Sequence, residues 1–210
     1  VPVAVHGAVL PGGVKIKKSR LRGELSEGML CSVHELGLDD SLLLPEERTG
    51  IWILPEDTPL GVDAVEQTGL RDIVYEYELT PNRADCFSMV GLSREFAVLS
   101  GRKARVPKTR VAEGREKIDG KLKVSVAAPK LCARYAARLL YHVKVGKSPF
   151  WMQQRLRKAG VRPINNIVDI TNYTMLEFGI PLHAYDYDKL SGHELIVRRA
   201  GKGEKITTLD

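Results

Sequence analysis

The chain has 210 residues, of which 43% are hydrophobic and 28% charged, and this composition is typical of a globular protein with its own core. No apolar run is long enough to span a bilayer, which argues against a membrane protein. The formal net charge of +6 is compatible with a nucleic-acid partner, although a charge of this size also fits an ordinary basic surface.

The chain has three cysteines, and their number and spacing bear on the compartment and on metal binding. Cys31, Cys86 and Cys132 are far apart in the sequence and form no CxxC pair. They therefore favour reduced thiols in a cytoplasmic protein over a disulfide framework or a metal site. The sequence begins at Val1 rather than at Met, so we expect it to be a piece of a longer protein.

The first stretch, residues 1–59, consists of short apolar pieces separated by turn signals. Strands are predicted at residues 1–5, at Val14–Ile16 and at Gly28–Ser32. A turn is predicted at residues 11–13, where Pro is followed by two glycines that tolerate positive φ. The pattern predicts the closing strands of a small Greek-key barrel of the OB type.

Basic residues crowd one part of this first stretch. They are Lys15, Lys17, Lys18, Arg20 and Arg22. Residues two apart on a strand share a face, so Lys15 and Lys17 are expected to point together, as are Arg20 and Arg22 if that piece is extended. Such a row can follow an RNA backbone, but it can equally be a basic edge that discourages aggregation. The residues alone do not choose between these two interpretations.

The second stretch, residues 60–101, predicts a linking α/β segment. A strand is expected at Asp72–Leu79, ended by Pro81, and a helix is expected from the three- and four-residue spacing of Met89, Leu92, Phe96 and Leu99. Asn82 or Asp85 is the expected N-cap, and Gly101 is the expected stop. Residues 102–120 are polar and basic, with interspersed Pro and Gly, and predict a linker.

The third stretch, residues 121–210, predicts mixed α and β structure, and the whole chain is therefore expected to be α+β. Strands are predicted at residues 121–126, 135–145 and 195–198. One helix is expected to begin with Ser148 as N-cap and Pro149 as its first residue, and to end at Gly160. A second helix is expected over residues 166–177, ended by Gly179.

Polar residues are unusually frequent around this second helix. Asn165, Asn166 and Asp169 are poor interior helix formers, and we interpret them as residues that cap the helix and hold its neighbouring loops. His183 follows the helix stop, beside Tyr185, at a position compatible with the edge of a polar pocket. From the residues alone, a structural role is favoured for His183.

Two stretches of the chain resemble known RNA-related sequences. Residues 12–32 resemble the C-terminal part of the EMAP-type tRNA-binding domain, with its K-x-x-x-LRG-x-x-S-x-GM pattern. Glu78–Asp85 (ELTPNRAD) and residues 91–101 (GLSREFAVLSG) resemble the β subunit of bacterial-type phenylalanyl-tRNA synthetases. In physical terms, this second stretch still indicates a strand stop, a cap and an amphipathic helix.

A third group of stretches resembles the B3/B4 editing domain of the same subunit. They are Cys132–Arg138, Pro149–Leu156 and Pro163–Asp186. The resemblance implies hydrolysis of tyrosine misattached to tRNA(Phe), a step that an apolar phenylalanine pocket needs because it rejects one added hydroxyl poorly. It also implies His183, in the PLHA-(F/Y)-D motif, and Asn172, in the DxTNY motif, as editing-pocket residues. Tyr185 stands where Phe is common, and Ile180 where Gln is common.

The resemblance implies the partners and the domain order as well. The parent enzyme is expected to be a phenylalanine-tRNA ligase, an (αβ)2 heterotetramer whose α subunit attaches phenylalanine to tRNA(Phe) with ATP and Mg²⁺, with no cofactor bound in this segment. Residues 1–59 would form the C-terminal part of an OB-type tRNA-binding domain, and residues 60–101 a linking α/β segment. Residues 102–120 would be a linker, and residues 121–210 would form the N-terminal part of the editing domain. The alternatives are a free-standing RNA-binding OB module and a structural scaffold.

Overall fold

The computed structural model describes residues 1–207. The chain forms two compact units: the first comprises Val1–Arg105 and Val145–Leu182, and the second comprises Val106–Lys144 and the residues from His183 onward. The boundaries between the two units lie at other residues than the boundaries predicted from the sequence. The predicted domain boundaries stay predictions. In the part of the chain that the structure describes, no helix is long and apolar enough to cross a membrane.

The first unit begins with four short strands: β1 (Val3–Val5), β2 (Ser19–Leu21), β3 (Glu24–Ser26) and β4 (Gly28–Leu30). β1 pairs antiparallel with β4, and β2 pairs antiparallel with β3. The predicted strand at Val14–Ile16 is reduced to one bridge between Val9 and Lys15. Within residues 1–207 these strands form separate two-stranded sheets and no closed barrel, so the OB-type barrel is not confirmed.

The β2–β3 connection decides whether Arg20 and Arg22 share a strand face, which was expected only if that piece is extended. Arg22 and Gly23 form a two-residue turn with φ of 51° and 90°, the left-handed conformation that matches the twist of a hairpin. Arg22 therefore lies in the turn and does not share a strand face with Arg20. The turn predicted around Gly12 is confirmed, because Gly12 and Gly13 have φ of 84° and 81°.

Two small apolar clusters form the core of this part of the first unit. One contains Ala4, Leu10, Ile16 and Cys31. The other contains Val33, Leu43 and Trp52, with Phe150 packed against it. A single helical turn, α1 (Ala64–Gln67), follows and is capped by the Asp63 carboxylate, which accepts from the Val65 backbone N–H at 2.8 Å.

The predicted strand at Asp72–Leu79 is wrong, because this segment has no regular structure and the side chains of residues 72–78 are exposed. A β-branched and aromatic composition favours a strand only where a neighbouring strand supplies hydrogen bonds. α2 (Met89–Ser100) follows as predicted and ends at Gly101, whose φ is 65°. Its cap is neither Asn82 nor Asp85, because the Ser88 hydroxyl accepts from the Gly91 N–H at 2.9 Å.

The first unit is completed by α3 (Phe150–Lys158) and α4 (Asn166–Phe178), which contact each other. α3 begins one residue later than predicted, with Pro149 in the N-cap position. Ser148 does not cap this helix, because its hydroxyl donates to the Asp169 carboxylate instead. α4 ends at Gly179, as predicted, with φ of 78°.

The second unit contains one sheet of two parallel strands, β5 (Lys123–Val126) and β6 (Glu194–Val197). Their register places Val124 opposite Leu195. Both strands were predicted, although their bounds differ by a residue or two. The strand predicted at residues 135–145 is wrong, since these residues have no regular structure. The two units together confirm a mixture of α and β structure.

Candidate functional site

The polar residues at the start of α4 are bonded to the protein itself. The Asn165 side-chain oxygen accepts from the backbone N–H groups of Ile167 and Val168, both at 3.0 Å, and thereby caps the helix. Asp169 is 1% exposed and accepts from the Ile164 N–H at 2.8 Å and from the Ser148 hydroxyl. The interpretation of Asn165 and Asp169 as residues that hold a helix and its loops is confirmed.

Asn166 has a similar structural contact. Its side-chain oxygen accepts from the Gly146 N–H at 3.1 Å, while its own backbone N–H donates to the Gly146 carbonyl at 2.8 Å. This reciprocal pair fixes the chain that leads into α3 against the start of α4. Asn166 is therefore occupied by a neighbouring loop, as the sequence predicted.

Asn172 differs from these neighbours on the same helix. It lies at the middle of α4 and is half-buried. Among the described residues, its side chain is not hydrogen-bonded to any other group, so its amide group keeps its donors and its acceptor for a ligand. Of the polar residues Asn165, Asn166, Asp169 and Asn172, it is the one that the described chain leaves without a partner.

His183 lies in the second unit, in an exposed loop that precedes β6. Its ring centroid is 6.3 Å from that of Tyr185, with an interplanar angle of 33°, and its nitrogens are not hydrogen-bonded within residues 1–207. Asn172 and His183 thus belong to different units. Both have polar atoms that the described fold leaves free, which is the property required of a residue that meets a substrate.

A pair of tyrosines lies beside His183. The Tyr185 hydroxyl lies near that of Tyr135, and its interaction with it, together with partial burial, raises the pKa of Tyr135 above its ordinary value. The pair connects the segment at residues 132–138 with the loop that carries His183. A phenylalanine at position 185 would lack this interaction.

The basic residues of the first stretch are exposed, and the structure divides them into two groups. Lys18 forms an ion pair with Glu27, and the Arg20 guanidinium donates to the Gly23 carbonyl at 3.3 Å. The side chains of Lys15, Lys17 and Arg22 form no hydrogen bond or ion pair with other residues in the range 1–207. These three cations are therefore available to a polyanion.

A cluster of possible metal ligands is formed by the short turn at Ala84–Cys86 together with α2. The ligand atoms of Asp85, Cys86 and Glu95 are all within 4.8 Å of one another, and no other such group occurs among residues 1–207. The Arg83 guanidinium is bonded to both carboxylates, at 2.9 Å to Asp85 and 2.6 Å to Glu95, and it lowers the pKa of Asp85 to about 2. With a cation already in place, this cluster does not fit Mg²⁺.

Sequence reasoning missed one exposed aromatic cluster. On α3, Met152 and Leu156 are buried, whereas Trp151 is 51% exposed. It contacts Arg155, four residues later on α3, and Tyr173 on α4. The four-residue separation of Trp151 and Arg155 is the signal that could have identified this cluster.

Comparison with known proteins supports the predicted relationship. Residues 131–210 match the family model for the B3/4 domain. The phenylalanine–tRNA ligase β subunit of Moorella thermoacetica is 58% identical over all 210 residues, that of a Bacillus cereus strain 52%, and that of Geobacillus kaustophilus 51%. Over its whole length, the chain is similar to phenylalanine–tRNA ligase β subunits. It spans about a quarter (26%) of the length of each of these relatives.

The similarity extends over both units and includes the first stretch. The relatives are named as subunits of a ligase, and the matched domain covers both His183 and Asn172. The predicted resemblance of the chain to the β subunit, and of residues 131–210 to its B3/B4 domain, is confirmed. The roles of the individual residues are not decided by these names.

Proposed function

We propose that the chain is part of the β subunit of a cytoplasmic phenylalanine–tRNA ligase and that it contributes tRNA contacts and hydrolytic editing of Tyr-tRNA(Phe). The proposal is supported above all by the similarity at up to 58% identity over all 210 residues. This full-length similarity favours the β subunit over a free-standing OB-type RNA-binding module, because it continues through the B3/4 match. The B3/4 match over residues 131–210 supports an editing role over a purely structural scaffold.

In the proposed editing reaction, His183 and Asn172 each contact the Tyr-tRNA(Phe) substrate. An imidazole and an amide that make no hydrogen bonds within the described residues can orient a water molecule or hold the RNA end. The water oxygen attacks the ester carbonyl, the bond to the ribose oxygen breaks, a proton of the water passes to that ribose oxygen, and tyrosine and free tRNA leave. His183 is assigned a water-orienting or RNA-binding role rather than that of a general base.

Aminoacylation itself is placed elsewhere in the parent enzyme. In the described residues, the one cluster with closely spaced metal ligands is filled by the Arg83 guanidinium and does not fit Mg²⁺. From the family resemblance, we assign the ATP- and Mg²⁺-dependent step to the α subunit of an (αβ)2 heterotetramer. The name of the relatives, a β subunit, supports the existence of such a partner.

The tRNA contact is assigned to the basic residues of the first stretch, namely Lys15, Lys17, Lys18, Arg20 and Arg22. All five are exposed, and three of them have no partner within the described chain. Lys18 and Arg20, which already contact Glu27 and Gly23, are expected to contribute less to binding than the other three.

The test is a deacylation assay with the parent αβ enzyme and Tyr-tRNA(Phe). His183→Ala is expected to lower the hydrolysis rate by roughly tenfold to a hundredfold, while charging with phenylalanine stays at the parental rate. His193→Ala is the matched control, because His193 is a second exposed histidine of the same unit and stacks on Tyr187 at 4.2 Å. If His183→Ala hydrolyses Tyr-tRNA(Phe) at the parental rate, the assignment of His183 is wrong.

A further inference from the structure

Trp151, Arg155 and Tyr173 form a cluster on the exposed side of α3 and α4 in the first unit. The Arg155 guanidinium lies 5.3 Å from the centroid of the Trp151 ring. Its Nη1 donates to the Tyr173 hydroxyl at 2.6 Å, and the Tyr173 ring meets the indole edge-on at 5.5 Å with an interplanar angle of 88°. Each of the three side chains is therefore held by the other two.

The exposure of Trp151 is not explained by the packing of α3. The core-facing positions of this helix are filled by Met152 and Leu156, which are 8% and 0% exposed, whereas Trp151 remains 51% exposed. The other tryptophan of the chain, Trp52, is 1% exposed. Because leaving a large aromatic surface in water is unfavourable, an indole that is held rigidly at the surface indicates a ligand with an apolar flat face.

The charge of α3 narrows the class of ligand. The helix carries Arg155, Arg157 and Lys158 and no acidic residue. Arg157 and Lys158 form ion pairs with Glu47 and Asp72, whereas Arg155 forms no ion pair within residues 1–207. Arg155 uses one of its five N–H donors on Tyr173, so the remaining donors can meet an anion. A flat aromatic surface beside an available guanidinium matches a base joined to a phosphate.

We infer that the Trp151–Arg155–Tyr173 cluster binds an unpaired nucleotide of single-stranded RNA. The base stacks on the open part of the Trp151 indole, and Arg155 bonds to the adjoining phosphate. Tyr173 acts as a positioning residue, because its hydroxyl and its ring hold Arg155 and Trp151 in place. The inference rests on the proposed function for its choice of RNA, and the single-stranded acceptor end of a tRNA has the required chemistry.

The two tryptophans allow a direct test with the 210-residue chain and an oligoadenylate of about eight nucleotides. Single-stranded oligoadenylate is expected to quench the tryptophan fluorescence, because the exposed indole stacks on a base and the buried Trp52 is shielded. Trp151→Phe removes the reporter and should abolish the quenching. The same RNA annealed to oligouridylate should not quench. Quenching that persists in Trp151→Phe would overturn the inference.

Affinity is measured separately, by fluorescence anisotropy of the labelled oligoadenylate. Trp151→Ala is expected to weaken binding by roughly tenfold, while Trp151→Phe, which keeps an aromatic face and the fold, retains most of the affinity. Arg155→Gln should weaken binding by severalfold. Arg94→Gln, which removes an exposed charge from α2 that has no partner in the described residues, should have a smaller effect. Unchanged binding by Trp151→Ala overturns the inference.

The outcomes separate this inference from the proposed editing function. If His183→Ala abolishes editing in the parent enzyme but RNA does not quench Trp151, the editing assignment stands and the stacking site is rejected. If RNA quenches Trp151 while His183→Ala edits normally, the stacking site stands and the role of His183 is rejected.

Discussion

In the first unit, the polar side chains that begin α4 are bonded to nearby groups of the same unit, whereas in the second unit His183 is exposed and has no hydrogen bond among the described residues. Asn165 and Asp169 each accept two hydrogen bonds from nearby donors. Both regions lie within residues 163–186, the stretch that resembles the B3/B4 editing domain. The difference shows that one run of polar residues can contain two kinds of side chain. Some are bonded within the fold and stabilise it, and others have no partner in the described chain and are candidates to bind a substrate.

The largest expected effect on the free energy of unfolding comes from a substitution at the start of α4, where the polar side chains are hydrogen-bonded. Asp169→Ala removes the acceptor of the buried Ser148 hydroxyl and of the Ile164 N–H, and each unsatisfied buried donor costs about 1–3 kcal/mol. We expect the free energy of unfolding to fall by about 3 kcal/mol, measured by urea denaturation.

Asp188→Ala is the matched control for this substitution. Asp188 is exposed, so its removal should change the free energy of unfolding by less than about 0.5 kcal/mol. A loss below about 1 kcal/mol in Asp169→Ala would show that the start of α4 does not depend on this carboxylate, and the contrast between the two regions would disappear.

A smaller effect is expected from Tyr185→Phe in the second unit. The substitution removes the hydroxyl that interacts with Tyr135 in a half-exposed pair, so the free energy of unfolding should fall by less than about 1 kcal/mol. The pKa of Tyr135 should fall toward its ordinary value, which is about 10. Near-ultraviolet absorbance as a function of pH measures this change, and an unaltered titration of Tyr135 would contradict the pairing.

The sign of the accompanying pH dependence follows from the raised pKa of Tyr135 in the folded chain. A group whose pKa is higher in the folded state contributes its full stability below the unfolded pKa, and that contribution is lost as the pH rises through the folded pKa. The stability difference between the wild type and Tyr185→Phe should therefore be constant at neutral pH and shrink in the alkaline range, above about pH 10.

The smallest effect on stability is expected for the unpaired cations. Replacing Lys15, Lys17 and Arg22 together by Gln removes no hydrogen bond or ion pair that the described structure shows, so the free energy of unfolding should stay within about 0.5 kcal/mol of the wild type. Binding of tRNA should nevertheless weaken, and the dependence of log affinity on log salt concentration should become shallower by up to about 0.9 for each phosphate-binding cation removed. Salt titrations of tRNA binding measure this slope.

The control for that triple substitution is Lys18→Gln with Arg20→Gln. These two residues already contact Glu27 and the Gly23 carbonyl, so their replacement should change the salt dependence of tRNA binding less than the triple substitution does. If the pair changes the salt dependence as much as the triple substitution does, the distinction between bonded and unbonded side chains fails for this stretch.

The helices show how far local sequence predicts structure in this chain. α2 and α4 were both predicted, and both end at the predicted glycines, Gly101 and Gly179, since positive φ is a local requirement that glycine meets. The predicted caps Asp85 and Ser148 were wrong. Ser88 occupies the N-cap position of α2 in place of Asp85, and the Ser148 hydroxyl donates to Asp169 instead of capping α3.

The strand predictions show more clearly what local sequence does not determine. Residues 72–79 and 135–145 have the composition of strands but no regular structure, whereas β5 and β6 pair across roughly seventy residues of sequence. A strand forms only where a second strand completes its hydrogen bonds, and composition does not show whether one is present. For the same reason, the candidate site could be predicted only in part: Asn172 and His183 came from resemblance, and the Trp151 cluster depends on packing between α3 and α4.

By itself, the sequence determined the relationship to phenylalanine–tRNA ligase β subunits, the mixture of α and β structure and the glycines that end the helices. These features depend on residue identity or on the backbone conformation of a few consecutive residues. Only the tertiary structure decided which polar side chains are occupied: Asp169 is buried and bonded, while Asn172, His183 and Lys17 have no hydrogen-bond partner in the described chain. A hydrogen bond requires two groups to meet in space, and for residues distant in sequence only the fold brings them together.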